Sequence, residues 1–321
     1  MRIVFMGTPD YALTSLKALV EHSSFQVAGV FTQPDRPKGR GKQVQMPPVK
    51  EYALDKGIPV FQPRRIRTEG LADLQALQPD LCVTAAYGQI LSEEILAVPK
   101  MGTVNVHASL LPKYRGSSPA NWVIINGETR TGVTTMMTDK GIDTGDILLQ
   151  TALDIHPFET AGELTDRLAQ AGAALLLDTL LRLQAGTCPR RQQDACSMSY
   201  YPMLSRESGI IRWSEAALDI QNLVYGTAPW PGASTASPWG TLKIWAAEAE
   251  ENGAMAAPGT ILQADPKTGL LVQTGNGALR IHRLQAPGKR AMEAAEFLRG
   301  KPLTAPGTMD NSEDNNGRPE A

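Results

Sequence analysis

The chain has 321 residues, 42% of them hydrophobic and 20% charged, with a formal net charge of −2. That length predicts two domains with ordinary apolar cores, and the near-neutral balance excludes a globally basic nucleic-acid binder, so any polyanion site must be local. Cys82, Cys188 and Cys196 are odd in number and lack metal-ligand spacing, which points to a reduced, cytoplasmic setting.

Residues 2–6 read as a strand with no charged-then-apolar leader before them. The most apolar stretch, 171–183, is interrupted by Asp178 and Arg182, so neither secretion nor a membrane span is expected. Gly7-Thr8-Pro9-Asp10 turns into a helix over 11–23, and 25–32 is the next strand. Strand, helix and strand within about 30 residues predict a right-handed crossover and a parallel sheet. The Gly7 turn lacks G-x-G-x-x-G spacing and Pro9 removes a backbone donor, which argues against a nicotinamide site.

Residues 33–45 place Arg36, Lys38, Arg40 and Lys42 at alternate positions, opposed only by Asp35. The absence of an apolar period predicts a mobile loop; its charge suits a solvated surface or a clamp for a phosphate backbone. A helix over 48–56, a brief strand at 59–61 and a helix over 71–77 lead to 81–86, a continuous apolar strand of the kind buried in a parallel sheet. Tyr87-Gly88-Gln89-Ile90-Leu91 follows. Gly88 would let backbone approach a flat ligand, or would simply serve a strand-to-helix turn.

In the strand over 102–107, Val104 and Val106 alternate with Asn105 and His107, so period 2 puts the two polar side chains on one face. Pro112 ends regular pairing. An amide and an imidazole thus sit together at a strand end, where open α/β sheets bind ligands. Acyl transfer needs such a pair: a neutral and a titratable donor aimed at one developing oxyanion, with a carboxylate beside the imidazole to raise its pKa and orient it. Duller roles are open to each residue. Asn105 can cap backbone groups, His107 can be a satisfied structural histidine, and Asp143 or Asp146 can make an Asx turn. No second His or Cys lies at ligand spacing, so no metal is expected. His22, His156 and His282 are assigned no chemistry.

A helix over 119–125, strands over 131–137 and 147–155, and a long helix over 160–185 with Thr160 as N-cap complete this part. The aperiodic stretch 187–206 reads as a linker. Beyond it come strands at 209–213, 241–246, 259–263, 270–273 and 278–284 and a helix over 216–225, with hairpin turns at Lys267-Thr268-Gly269 and Gly275-Asn276-Gly277. This predicts a small Greek-key barrel. The last 15 or so residues hold Met309 as their one large apolar residue and read as a disordered tail.

Asn105-x-His107 with Ser109-Leu110-Leu111-Pro112, and the downstream Gly141-Ile142-Asp143-Thr144-Gly145-Asp146, which lacks only the family's leucine, resemble the folate-dependent formyltransferases. Gly7-Thr8-Pro9-Asp10, the basic run 33–42, Ala86-Tyr87-Gly88 and Pro258-Gly259-Thr260-Ile261 fit as well, so the resemblance runs from Arg2 to about Pro306. It implies an α/β, Rossmann-like parallel-sheet formyltransferase domain over 1–186 that binds folate and carries the chemistry. A linker over 187–206, an OB-like C-terminal tRNA-binding barrel over 207–306 and a tail over 307–321 follow. It further implies transfer of a formyl group from 10-formyltetrahydrofolate to the amino group of methionyl initiator tRNA, in translation initiation, by a cytoplasmic monomer. Asn105, His107 and Asp143 would be catalytic. Tyr87, Gly88, Gln89, Leu91, Ser109, Leu110, Leu111 and Pro112 would hold the folate, with Arg115 and Gly116 shaping the rim. Arg36, Lys38, Arg40 and Lys42 would meet the tRNA acceptor end. The same chemistry on an amino sugar or another small amine, and a catalytically dead RNA-binding protein, are the alternatives.

Overall fold

The backbone of Ile3 to Met6, Val30, Phe31 and Leu81 to Val83 carries side chains that are all fully buried, and these strands form the middle of a seven-stranded sheet. Its order is Ile147–Asp154, Arg130–Met137, Thr103–His107, Leu81–Ala85, Arg2–Gly7, Gln26–Phe31, Val60–Phe61. The strands from Thr103–His107 to Val60–Phe61 pair in parallel, and the other two extend the sheet antiparallel. The turn over 138–146 explains the last reversal. Asp139 Oδ1 accepts from Gly141 N at 3.0 Å and from Thr144 Oγ1 at 2.6 Å, and a tight turn without a crossover returns the chain antiparallel. The computed structural model describes residues 1–38, 43–253, 256–301, 303 and 307–309.

Two units divide the chain. The first comprises Met1–Pro119, Arg130–Asp154 and Leu164–Tyr201; the second comprises Ala120–Thr129, Ile155–Glu163 and the chain from Pro202 onward. The long helix spans Ala161–Gln184. Thr160 Oγ1 accepts from Glu163 N at 3.2 Å while Glu163 Oε2 accepts from Thr160 N at 2.9 Å, a reciprocal capping box. Leu164, Leu168, Leu176 and Leu180 are fully buried along one face. Gly172 brings the helix down on the sheet, since an added Cβ would sit 3.0 Å from Val106 Cγ1, on the strand that carries His107.

The basic run is more ordered than a loop at its flanks. Arg36–Lys38 and Gln43–Gln45 pair antiparallel, Arg36 opposite Gln45. Charges at every second position match a strand's period as well as a loop's. Arg40 and Lys42 lie outside the described residues, as does the Lys38 side chain. Residues 187–201, expected as linker, pack on the first unit. Arg191 and Ile147 exchange both backbone hydrogen bonds, and Tyr200–Tyr201 pairs in parallel with Arg115–Gly116.

The second unit is an OB-like antiparallel sheet in the order Ala233–Thr235, Leu242–Glu250, Ala278–Gln285, Gly269–Gln273, Ile261–Asp265, with Met292–Glu293 beside Ala278–Gln285. Its apolar core holds Trp213, Ile220, Leu242, Leu279 and Phe297, the last from the helix Ala294–Gly300, which the sequence does not predict. The strand expected over 209–213 is reduced to a single bridge between Ile210 and Ser234. The expected tail over 307–321 begins instead as structure. Met309 N donates to Gly259 O at 2.7 Å, Ile261 N donates to Gly307 O at 3.0 Å, and the Met309 side chain is buried in the core. One apolar side chain with backbone partners is enough to hold the end of a chain against a sheet edge. Residues 310–321 lie outside the described ones.

Candidate active site

Asn105 and His107 leave the same face of the Thr103–His107 strand, as period 2 requires, and Asp143 reaches them from the turn over 138–146. Asp143 Oδ1 lies 3.5 Å from Asn105 Nδ2 and 3.7 Å from His107 Nδ1. Its other oxygen accepts from Gly116 N at 2.9 Å. The fold therefore brings together the three side chains that the sequence singles out.

The hydrogen bonds around the trio fix which atoms are available. Asn105 Oδ1 accepts from Thr84 Oγ1 at 2.9 Å, on the neighbouring strand where Thr84 is the register partner of Asn105. The amide nitrogen therefore faces away from Thr84, and Asp143 uses at most one of its two N–H donors. His107 is 6% exposed. Its Nε2 lies 2.8 Å from the Tyr114 carbonyl, an acceptor only, so Nε2 carries its proton there and Nδ1 is the edge turned to Asp143. At 3.7 Å that edge is beside the carboxylate without being hydrogen-bonded to it.

The loops that deliver these groups are themselves pinned. Tyr114 N donates to Ser199 Oγ at 2.9 Å and its ring stacks on Tyr201 with centroids 4.9 Å apart. Thr134 Oγ1 donates to Ser109 O at 2.7 Å and accepts from Leu111 N at 3.1 Å, and Gln150 Nε2 donates to Leu111 O at 2.9 Å. Arg115, expected at a rim, is turned inward and 9% exposed; its Nε and Nη2 donate to Gln193 Oε1 at 3.1 and 2.7 Å. Thr84, Tyr114 and Gln193 escape the sequence reading because their roles arise from strand register and from chain segments far apart.

The residues selected for folate divide into two groups. Ser109 spends its hydroxyl on the Lys113 carbonyl at 2.8 Å, and Leu111 is buried with Met136 and Ile147. Tyr87 and Leu91 belong to the apolar core, where burial pushes the Tyr87 phenol above its ordinary range. Gln89 is committed to Ile66 N at 2.7 Å and Pro63 O at 3.0 Å. Backbone in this stretch is engaged as well: Gln33 Nε2 donates to Tyr87 O at 3.2 Å and to Gly88 O at 3.3 Å. Gly88 has φ of +79°, and a Cβ there would meet only Gln33 Nε2, at 3.5 Å, so this face is open. Half-buried Leu110 and Pro112 complete the group.

A family model described as formyl transferase matches residues 1–180, and one described as formyl transferase, C-terminal domain, matches 203–302. The chain belongs to the formyl transferase family. Relatives named methionyl-tRNA formyltransferase include that of Desulforamulus reducens, 50% identical over 96% of this chain and 97% of its own, and that of Trichlorobacter lovleyi, 49% identical over 96% of each. Solved structures are also similar. An N-formyltransferase from Helicobacter canadensis, in complex with folinic acid and dTDP-3-aminofucose, matches with a TM-score of 0.64 at 20% identity, covering 87% of this chain and 97% of that one. HypX from Aquifex aeolicus, in complex with tetrahydrofolic acid, matches with a TM-score of 0.60 at 18% identity, covering 93% of this chain and 47% of that one. Among the described residues no helix is long and apolar enough to cross a membrane, and no group of three His, Cys, Asp or Glu is placed to hold a metal.

Proposed function

We propose that the protein transfers the formyl group of 10-formyltetrahydrofolate to the amino group of methionyl initiator tRNA, with Asn105, His107 and Asp143 carrying the chemistry. The observation behind this is the convergence of the three side chains, within a family whose relatives at about half identity carry that activity in their names.

A formyl donor fits the residues present: open space beside Gly88 and a spare amide N–H at Asn105. In transfer, the acceptor nitrogen bonds the formyl carbon and the bond from that carbon to the folate nitrogen breaks. Asn105 Nδ2 donates to the formyl oxygen as it gains charge, a role suited to a group that does not titrate. Protonated His107 adds Nδ1–H to the same oxygen and later passes that proton to the leaving nitrogen. Its Nε2–H stays with Tyr114 O, which keeps the ring from rotating. Asp143 steadies the charged ring and takes the amine's proton, through water. We read the protein as a monomer acting in the cytoplasm.

We assign folate binding and catalysis to 1–186 with 187–201 packed on it, and acceptor binding to 207–306. Tyr87, Gly88, Gln89, Leu91 and Ser109 to Pro112 line the folate site. Arg36, Lys38, Arg40 and Lys42 bind acceptor-end phosphates. The one acid in the run, Asp35, is paired with Lys50 at 2.7 Å and bound by Gln62 at 2.7 Å, so it does not offset the run's positive charge.

The test is formyl transfer from labelled 10-formyltetrahydrofolate to a panel of amines: charged initiator tRNA, charged elongator tRNA and an amino-sugar nucleotide. Transfer to charged initiator tRNA far above the others is expected. Preference for the sugar amine would overturn the acceptor assignment.

A further inference from the structure

Behind Asp143 sits a side-chain amide with every donor and acceptor committed. Gln193 lies in the segment that reads as linker, yet Gln193 Nε2 donates to Asp143 O and to Gly145 O, each at 2.8 Å. Its orientation is not ambiguous. Arg115 has only donors, so the atom 2.7 Å from Nη2 and 3.1 Å from Nε must be the amide oxygen, and both N–H groups then point to the turn. Arg115 is buried and is fixed in turn by Met198 Sδ at 3.2 Å from Nη1.

The turn needs such a hold. Asp143 has φ of +53°, a left-handed conformation that a side-chain-bearing residue keeps only where its surroundings over-determine it. Gly145 runs so close to the Met137 carbonyl that an added Cβ would sit 1.9 Å from it. On the other side Asp143 Oδ2 has the Gly116 backbone N–H at 2.9 Å. Arg115 and Gly116 are neighbours, so one short strand pins the carboxylate directly and, through Gln193, pins its backbone.

We propose that Gln193 is a positioning residue for formyl transfer, holding the Asp143 carboxylate at the reacting edge of His107 while touching neither substrate. This rests on the reading of Asp143 as the catalytic carboxylate. A shift of about 1 Å in a catalytic group can cost on the order of 100-fold in rate. Gln193→Ala removes the link. Gln193→Glu keeps the size and the bond to Arg115 but sets a carboxylate oxygen against two carbonyls.

The experiment measures kcat and both KM values of full-length variants with 10-formyltetrahydrofolate and charged initiator tRNA, with thermal unfolding alongside. Both variants should lose about 10- to 100-fold in kcat with KM within about threefold. In an Asp143→Asn background, measured by single turnover, Gln193→Glu should cost less than about twofold more, because the group it serves is already disabled. A merely structural role would lower activity by the same factor in both backgrounds. That result, an unchanged kcat in Gln193→Glu, or a rise in KM alone would each overturn the proposal while leaving the functional reading in place. A wild-type protein unable to formylate any charged tRNA would overturn both.

Discussion

The first unit's central strands are buried along most of their length, and its polar chemistry gathers toward the carboxyl end of Thr103–His107, where Asn105, His107 and Asp143 meet. The second unit's strands have mixed faces. Leu242–Glu250 and Ala278–Gln285 bury Leu242, Ile244, Leu279 and Ile281 while exposing Glu248 and His282. A sheet covered on both sides has only its ends left to carry chemistry, whereas one with a single buried face spends its apolar residues on one core. Damage to the two regions should therefore be felt differently, as lower rate in one and lower stability in the other.

The contrast is broken or sharpened most by Phe297→Ala. Phe297 packs edge-on to Trp239 with centroids 5.4 Å apart, and its removal should cost about 3–5 kcal/mol of unfolding free energy, lowering the midpoint of the second unit by about 10 °C or more. Calorimetry checks this. Formyl transfer by bound substrates, assayed well below the midpoint, should stay within about threefold of wild type. A collapse of that rate would mean that the regions are not separable in this way.

A smaller effect is expected from Arg36→Ala with Arg40→Ala. Withdrawing one cation from a phosphate flattens the dependence of log affinity on log salt by about 0.7–0.9, so the pair should reduce the slope for charged tRNA by about 1.5 and leave folate affinity unchanged. Filter binding over a salt series reads both. A change confined to folate would remove the ribbon from the acceptor site.

The smallest effect concerns pH. The bonds from Lys50 and Gln62 hold the Asp35 carboxyl below its ordinary value. A carboxyl depressed on folding adds stability that is complete above its unfolded pKa of about 3.9 and disappears as pH falls through the folded value. The pair is partly solvated, so less than about 1 kcal/mol is at stake. Wild type should thus exceed Asp35→Asn in stability at pH 6, and the gap should close as pH falls below the ordinary carboxylate range. A gap that persists in acid would show that the charge is not its source.

The sequence exposed the strand carrying Asn105 and His107 because alternation is local, and Gly88 because a glycine after an apolar strand is conspicuous. Asp143 is different. Nothing in Gly141-Ile142-Asp143-Thr144-Gly145 separates it from Asp146 except the family pattern, and its left-handed backbone is held by Gln193, 50 residues away. The stretch 187–201 resembles a linker because it has no apolar period, yet a strap needs none: it is held by backbone pairing to Ile147 and Arg115 and by single side chains. Met309 teaches the same lesson at the other end of the chain, where one buried side chain outweighs a polar neighbourhood.

The central claim is that Asn105 and His107 act on the transition state and not on binding. Its most direct test is the single-turnover rate of formyl transfer for Asn105→Ala and His107→Ala, with both substrates saturating and their Kd values measured separately. The account predicts about 100- to 1,000-fold slower transfer for each, with both Kd values within about threefold of wild type. Transfer at the wild-type rate, or a deficit accounted for wholly by weaker binding, would contradict it.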